Sequence, residues 1–374
     1  MRMDMIRVAL VGFGGMGQIY AKMIYAGMIP GMVLSGVCCR NAAGQATLKA
    51  EFPGVSVYTD TDHMAACAEE FEAVIIVTPH TSHIAIGLQM AKLHKHILMD
   101  KPAGIYASEV EKLRDYCQEN HLSYAMMFNN RRLPVFRTAR QMIQRGDLGN
   151  LHRAVWVCNN WYRSPAYHRS AAWRSSWQTE CGGMMVNQTP HNLDLWNWLF
   201  GMPDKVYADL QFGRYNDFSV DDAADIQFSY ENGFHGTFIS ATGEAPGISR
   251  LEIWGSRGCL TIEDNQRLYF DENEVSTEEF GLTNQEKFAA IPHARREISL
   301  EPIPNPYQQM LQNFASHLLH GTPLYADGDD GLREVQLANA IYVSGWEERA
   351  VRLPVEESRF TEGLVQRQQQ EARH

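Results

Sequence analysis

What the chain lacks narrows its function. Its 374 residues contain no apolar run of membrane-spanning length, which takes about 20 residues. It has no basic excess either: 33 Lys and Arg face 44 Asp and Glu, a formal net charge of −11. That balance argues against nucleic acid or an anionic membrane surface as a partner. Cysteine is scarce and unpatterned. Seven residues, at 38, 39, 67, 117, 158, 181 and 259, form no Cys-x-x-Cys pair, so reduced core thiols are expected and not a disulfide framework. The start, Met1-Arg2-Met3-Asp4-Met5, runs directly into a strand-like segment without a signal-peptide pattern, and a cytoplasmic location is expected. Internal repeats and low-complexity linkers are absent too.

What is present fits an ordinary globular protein: 45% hydrophobic and 21% charged residues, in a chain long enough for two cores. Ile6–Val11 is a short apolar run of the buried-strand kind. It flows into Gly12-Phe13-Gly14-Gly15-Met16-Gly17 and then a helical segment. Glycines there permit a tight turn, close approach to a pyrophosphate and close helix packing, while the helix N-terminus offers N–H groups. Where a carboxylate would hold a ribose 2′-hydroxyl, the sequence has Cys39-Arg40. The missing negative charge and added positive one tilt the expected cofactor toward NADP over NAD, unless Arg40 is merely a solvated residue at a strand end. Ala73–Val77 ends in Thr78-Pro79-His80, and Ser82-His83 opens a helix. The histidines at 80, 83, 94 and 96 lack a carboxylate or thiol motif, so no metal is expected. His96–Met99 ends in Asp100-Lys101-Pro102. A lysine at such a strand end suits a developing alkoxide; its bland alternative is a surface lysine.

Alternating strands and helices over 1–128 predict a dinucleotide-binding Rossmann domain. From 129 to 374 the pattern changes to a helix, then strand-like stretches at 151–160, 203–212, 223–230, 234–241, 250–255 and 258–263, then two amphipathic helices near Pro306–His320 and Asp329–Trp346. It predicts an α+β domain with a large, open, mostly antiparallel sheet. The polar tail Gln366–His374 is expected to fray. Between the first strands lies Trp161–Glu180, rich in Tyr162, Arg163, Trp173 and Arg174. Rings with interleaved donors suit a polyhydroxylated ligand, or else an aromatic packing loop. After Gly182-Gly183, the residues Asn187, His191 and Asp194 recur at i, i+4 and i+7. That spacing sets a polar stripe on one helical face, either a proton-handling site or a capped core helix with a satisfied histidine.

Gly12–Gly17, Asp100-Lys101-Pro102 and the Gly182-Gly183…His191…Asp194 helix occur in an order that resembles the Gfo/Idh/MocA family of nicotinamide-dependent sugar dehydrogenases. Thr78-Pro79…His83 and Arg131…Pro134 extend the resemblance over most of the chain. It implies a small carbohydrate as substrate and hydride transfer at a hydroxyl carbon, with Lys101 and His191 as the catalytic pair meeting at the crevice. Cofactor contacts are implied at Gly12, Phe13, Gly14, Gly15, Met16, Cys39, Arg40, Thr78, His80, His83, Asp100 and Lys101. Substrate contacts are implied at Arg131, Tyr162, Arg163, Trp173, Arg174, Asn187 and His191. A homo-oligomer formed through the second-domain sheet is also implied. Asp100 replaces the family's usual glutamate, and Asn187 stands where many members have aspartate; an amide positions substrate but takes no proton. An NAD-dependent glycosidase acting by transient sugar oxidation, or a non-catalytic dinucleotide or sugar sensor, are the alternatives.

Overall fold

The computed structural model describes residues 5–373; residues 1–4 and His374, on which parts of the expectations about the start and the tail fall, lie outside them. The chain forms two compact units. One holds the residues up to Asn129 together with Pro304–Gln336, the other Asn130–Ile303 together with the residues from Leu337 onward.

The first unit opens with β1 (Ile6–Val11), α1 (Gly15–Tyr25), β2 (Met32–Cys38), α2 (Ala42–Glu51), β3 (Ser56–Tyr58), α3 (Thr61–Ala66), β4 (Ala73–Ile76), α4 (His83–Lys92), β5 (His96–Met99), α5 (Ala107–Glu119) and β6 (Tyr124–Met126). The strands form one parallel sheet in the order β3-β2-β1-β4-β5-β6. Strand order reverses between β1 and β4, the place where such a sheet opens a crevice for a ligand. Val8–Val11 and Ala73–Ile76 are buried throughout, as strands covered on both faces must be.

The second unit begins with α6 (Pro134–Arg145), β7 (Leu151–Cys158), α7 (Pro165–His168), α8 (Met184–Asn187) and α9 (Pro190–Phe200). It continues with β8 (Lys205–Phe212), β9 (Asp221–Ser229), β10 (His235–Ala241), β11 (Ser249–Gly255), β12 (Gly258–Glu263), β13 (Arg267–Asn273), α10 (Thr277–Thr283) and β14 (His293–Glu297). After α11 (Pro306–His320) and α12 (Gly328–Glu347) come β15 (Val351–Arg352) and α13 (Glu357–Glu371). Nine strands form one sheet, β14-β13-β12-β11-β7-β10-β9-β8-β15. It is antiparallel except where β10 runs parallel to β7. Along β7, β8, β10 and β11 buried residues alternate with more exposed ones. One face carries Ala154, Trp156, Val206, Phe238 and Leu251 into the core, where Trp156 meets Phe136 of α6.

Several expectations need correction. Residues 129–374 do not form one unit: Met310, Leu311, Phe314 and Ala315 of α11 join the core of the first unit. Gln308 and Gln312 on the same helix donate to the carbonyls of Met28 and Pro30, at 2.8 and 3.1 Å. The tail is helical to Glu371 instead of frayed from Gln366. The helix after Gly183 is not continuous either. It stops at Asn187 and restarts at Pro190, because proline has no N–H to continue the ladder.

Candidate active site

In the first unit the glycine loop leaves room for a ligand. Gly12 has φ +105°, and a Cβ there would lie 2.8 Å from the Val77 carbonyl; at Gly17 it would lie 2.2 Å from the Gly12 carbonyl. At Gly14 and Gly15, by contrast, a Cβ would meet nothing within 4 Å. Gly14 opens α1 without any side-chain cap. A tight turn, a closely packed helix and an open, uncapped N-terminus together suit a bound pyrophosphate. The Phe13 ring points away into the core, buried edge-on against Phe52 at 6.0 Å. Met16 is partly exposed on the first turn. At the end of β2, Cys39 is buried and Arg40 exposed. The next helix is capped locally, the Asn41 side chain accepting from the Gly44 N–H at 2.6 Å.

The strand ends beside this loop are braced from within. Tyr20 of α1 is fully buried, and its hydroxyl donates to Asp100 Oδ2 at 3.0 Å. The Lys101 backbone N–H donates to Asp100 Oδ1 at 2.7 Å. Each oxygen of Asp100 thus accepts one hydrogen bond from the protein, and the carboxylate supports Lys101 through its backbone. Burial, then the Asp100 charge, hold the Tyr20 hydroxyl well above its usual pKa, so it stays a donor. His83 is reassigned. It is 1% exposed, with Nδ1 2.8 Å from the Pro102 carbonyl and Nε2 2.8 Å from the Thr78 carbonyl. The ring is enclosed between two backbone carbonyls, and burial pushes its pKa down, so the neutral imidazole donates to one of them. His80 is buried, and Thr78 is half-buried with its hydroxyl accepting from Ser82 at 2.8 Å.

In the second unit a polar cleft is lined by Tyr167, His168, Arg174, Glu180, Asn187 and Gln188, among others. Tyr167 is its hub. Its hydroxyl accepts from Arg174 Nη1 at 2.7 Å and from Gln188 Nε2 at 3.2 Å, and donates weakly to Asn187 Oδ1 at 3.4 Å. The guanidinium carbons of Arg163 and Arg174 stand 4.9 and 4.5 Å from its ring centre, and Arg174 also lies 4.5 Å from the Trp173 ring. Asn187 Nδ2 donates to Glu180 Oε1 and Gln188 Nε2 to Asn187 Oδ1 at 3.2 Å, which fixes the orientation of the Asn187 amide. Glu180 also accepts from the Ser175 N–H. Being 2% exposed, its carboxyl is pushed up by burial from 4.5 to about 7. Tyr162 is 55% exposed.

The expected polar stripe divides between two roles. His191 sits half-buried in the first turn of α9. Asp194, one turn on, is buried and accepts from Arg131 Nε at 2.9 Å and Nη2 at 2.6 Å. The side chains are 4% and 2% exposed. Arg131 is therefore committed to an internal ion pair and is not the substrate ligand that the sequence suggested. Beneath the cleft, fully buried Asp221 accepts from the N–H groups of Gly183 and Met185 and from the Tyr342 hydroxyl, at 2.9, 2.7 and 2.7 Å. It fixes the start of α8. Among the described residues no group of three or more His, Cys, Asp or Glu is placed to hold a metal ion.

Comparison with known proteins agrees with this construction. Residues 6–128 match the oxidoreductase family with the NAD-binding Rossmann fold, and residues 136–261 match the GFO/IDH/MocA C-terminal domain. The chain belongs to the GFO/IDH/MocA oxidoreductase family. It is 23% identical to myo-inositol 2-dehydrogenase of Thermotoga maritima, over 93% of this chain and 98% of that one. It is 22% identical to the NADP(+)-linked scyllo-inositol 2-dehydrogenase IolW of Bacillus subtilis, over 94% and 97%. Among solved structures, the WlbA dehydrogenase of Bordetella pertussis, in complex with NADH and UDP-GlcNAcA, superposes with a TM-score of 0.78 at 20% identity, over 94% and 100% of the two chains. Levoglucosan dehydrogenase with NADH and levoglucosan gives 0.79 at 20% identity, over 94% and 100%.

In this GFO/IDH/MocA oxidoreductase, the sequence reading overlooked supporting residues far away in the chain. Glu371 of α13 accepts from the Ser176 hydroxyl, the Trp177 and Gln178 N–H groups and the Ser219 hydroxyl, at 2.8, 3.1, 2.9 and 3.0 Å. It anchors the aromatic segment that carries Arg174 and Glu180. Tyr20 has the same standing in the first unit. The one available signal for it is general: a tyrosine inside an apolar helix face needs a partner for its hydroxyl.

Proposed function

We propose that this oxidoreductase oxidises a secondary hydroxyl of a sugar or cyclitol with a nicotinamide dinucleotide, or reduces the corresponding ketone. The observation that carries the reading is the pairing, in one chain, of an open glycine loop on a Rossmann sheet with a separate polar cleft built from Tyr167, Asn187 and Gln188. Relatives named as inositol dehydrogenases, matched over more than nine-tenths of the chain, favour it over the glycosidase and sensor alternatives.

The dinucleotide would lie with its pyrophosphate on Gly14 and Gly15 at the start of α1, and when bound it supplies the hydride acceptor. The remaining chemistry belongs to side chains. His191 takes the hydroxyl proton as general base, an assistance typically worth about 10²–10⁴ in rate. Lys101 stabilises the alkoxide that develops; its backbone is held by Asp100, itself held by Tyr20. Asn187, an amide without a titrating proton, serves as a hydrogen-bonding positioner and leaves proton transfer to His191. Arg40 favours NADP, by meeting a 2′-phosphate. The open face of the nine-stranded sheet, with exposed Tyr207 and half-buried Val155, Ile239 and Trp254, is the surface we assign to a homo-oligomer. The test is formation of reduced cofactor, followed by absorbance, with NAD and NADP against myo-inositol, scyllo-inositol and aldoses. Reduction by at least one polyol is expected, and none by any would overturn the reading.

A further inference from the structure

Around the cleft of the second unit, guanidinium edges are left unused by the protein. Among the described residues neither Arg163 nor Arg174 has a carboxylate within ion-pair distance, 4.0 Å. Both guanidinium groups are half-buried on the ring of Tyr167. Each uses only Nη1 on protein acceptors: Arg163 on the carbonyls of Trp161 and Tyr162, Arg174 on the Tyr167 hydroxyl. The Nε of each is buried and without a hydrogen-bond partner. His168, also lining the cleft, holds Ser175 Oγ at 2.6 Å through Nδ1 and buries Nε2 without a partner. Unsatisfied buried donors are costly, and two like charges sharing a ring repel. The Arg174 charge is felt by Glu180, but the hydrogen-bonding edges of the two guanidinium groups are not used by the nearby acids. Glu180 is taken by Asn187 and Ser175, and Asp221 by two backbone N–H groups and Tyr342.

We propose that the cleft selects an acidic carbohydrate, whose carboxylate or phosphate is held by Arg174 with Arg163 as the supporting charge. A planar guanidinium edge matches either anion. The proposal rests on the dehydrogenase reading for its sugar moiety, and takes its anion from the unused arginine edges. Neither Lys101 nor His191 is needed for it.

The test is calorimetric titration of the full-length protein, saturated with NADH, with D-glucuronate, D-glucose 6-phosphate and D-glucose. At least one acid should bind about tenfold or more tightly than glucose, with an advantage that shrinks at high salt. Preference for glucuronate alone identifies a carboxylate site, and for glucose 6-phosphate alone a phosphate site. Arg174→Met should abolish the preference while leaving NADH affinity unchanged, and Arg174→Lys should retain part of it. If both acids bind no better than glucose, or fail to bind, or if Arg174→Met keeps the preference, the proposal is overturned. Cofactor reduction is scored separately. Acid binding without turnover of any sugar would defeat the dehydrogenase reading and leave the anion site standing. Turnover of neutral polyols with no acid preference would do the reverse.

Discussion

Replacing Glu180 with glutamine should change how stability depends on pH, and the size of the change follows from its burial. The carboxyl is 2% exposed and is raised from 4.5 to about 7 by desolvation, only partly opposed by its bonds to Ser175 and Asn187. Between those pH values the folded protein keeps a proton that the unfolded chain has released. Stability from this group is therefore fully present below pH 4.5 and lost as pH rises through 7. A rise of that extent corresponds to about 3 kcal/mol. Glutamine does not titrate, so the wild type should lose about 3 kcal/mol relative to Glu180→Gln between pH 4.5 and pH 8. All eight tryptophans lie in the second unit. Urea unfolding followed by tryptophan fluorescence thus reports on the unit that holds Glu180. A stability difference that stays constant with pH, or grows in favour of the wild type as pH rises, would refute the reasoning.

Other perturbations have equally definite outcomes. Asp194→Asn leaves Arg131 charged in a buried place and should cost about 3–5 kcal/mol in the same urea assay, most of it recovered by the double change Arg131→Met with Asp194→Leu. Glu371→Ala removes the acceptor of four hydrogen bonds on the aromatic segment. It should lower stability by about 2 kcal/mol and raise KM for substrate, with cofactor affinity unchanged by fluorescence titration. Arg40→Ala should weaken NADP binding by about 1.5–3 kcal/mol and leave NAD nearly unaffected; tighter binding of NAD than NADP by the wild type would contradict the preference.

The parts legible in sequence were those written in local spacing. Gly12, Gly14 and Gly17 lie within one turn and its helix, so strand, loop and helix declare the dinucleotide fold together. Alternating residues gave six strands of the second sheet. Leu268 and Phe270 of β13 alternate in the same manner and could have been read, whereas β14 is exposed along its length and leaves no pattern. The break in the polar helix was also legible, for Pro190 lacks an N–H. What stayed hidden are pairings between distant residues. Tyr20 meets Asp100 across 80 positions and Arg131 meets Asp194 across 63; Glu371 reaches Trp177 across 194. No spacing rule encodes such contacts, so His83 and Arg131 read as ligands when they are braces. The amphipathic helix Pro306–His320 was visible too, but amphipathicity does not say which core its apolar face joins.

The most direct measurement is the single-turnover rate of cofactor reduction by a polyol substrate, compared among wild type, His191→Ala and Lys101→Ala. Both variants should reduce cofactor about 10²–10⁴ times more slowly, with cofactor Kd kept within a few-fold of wild type. Reduction at the wild-type rate in either variant, or losses in rate matched by equal losses in cofactor affinity, would contradict the assignment of proton transfer to His191 and alkoxide stabilisation to Lys101.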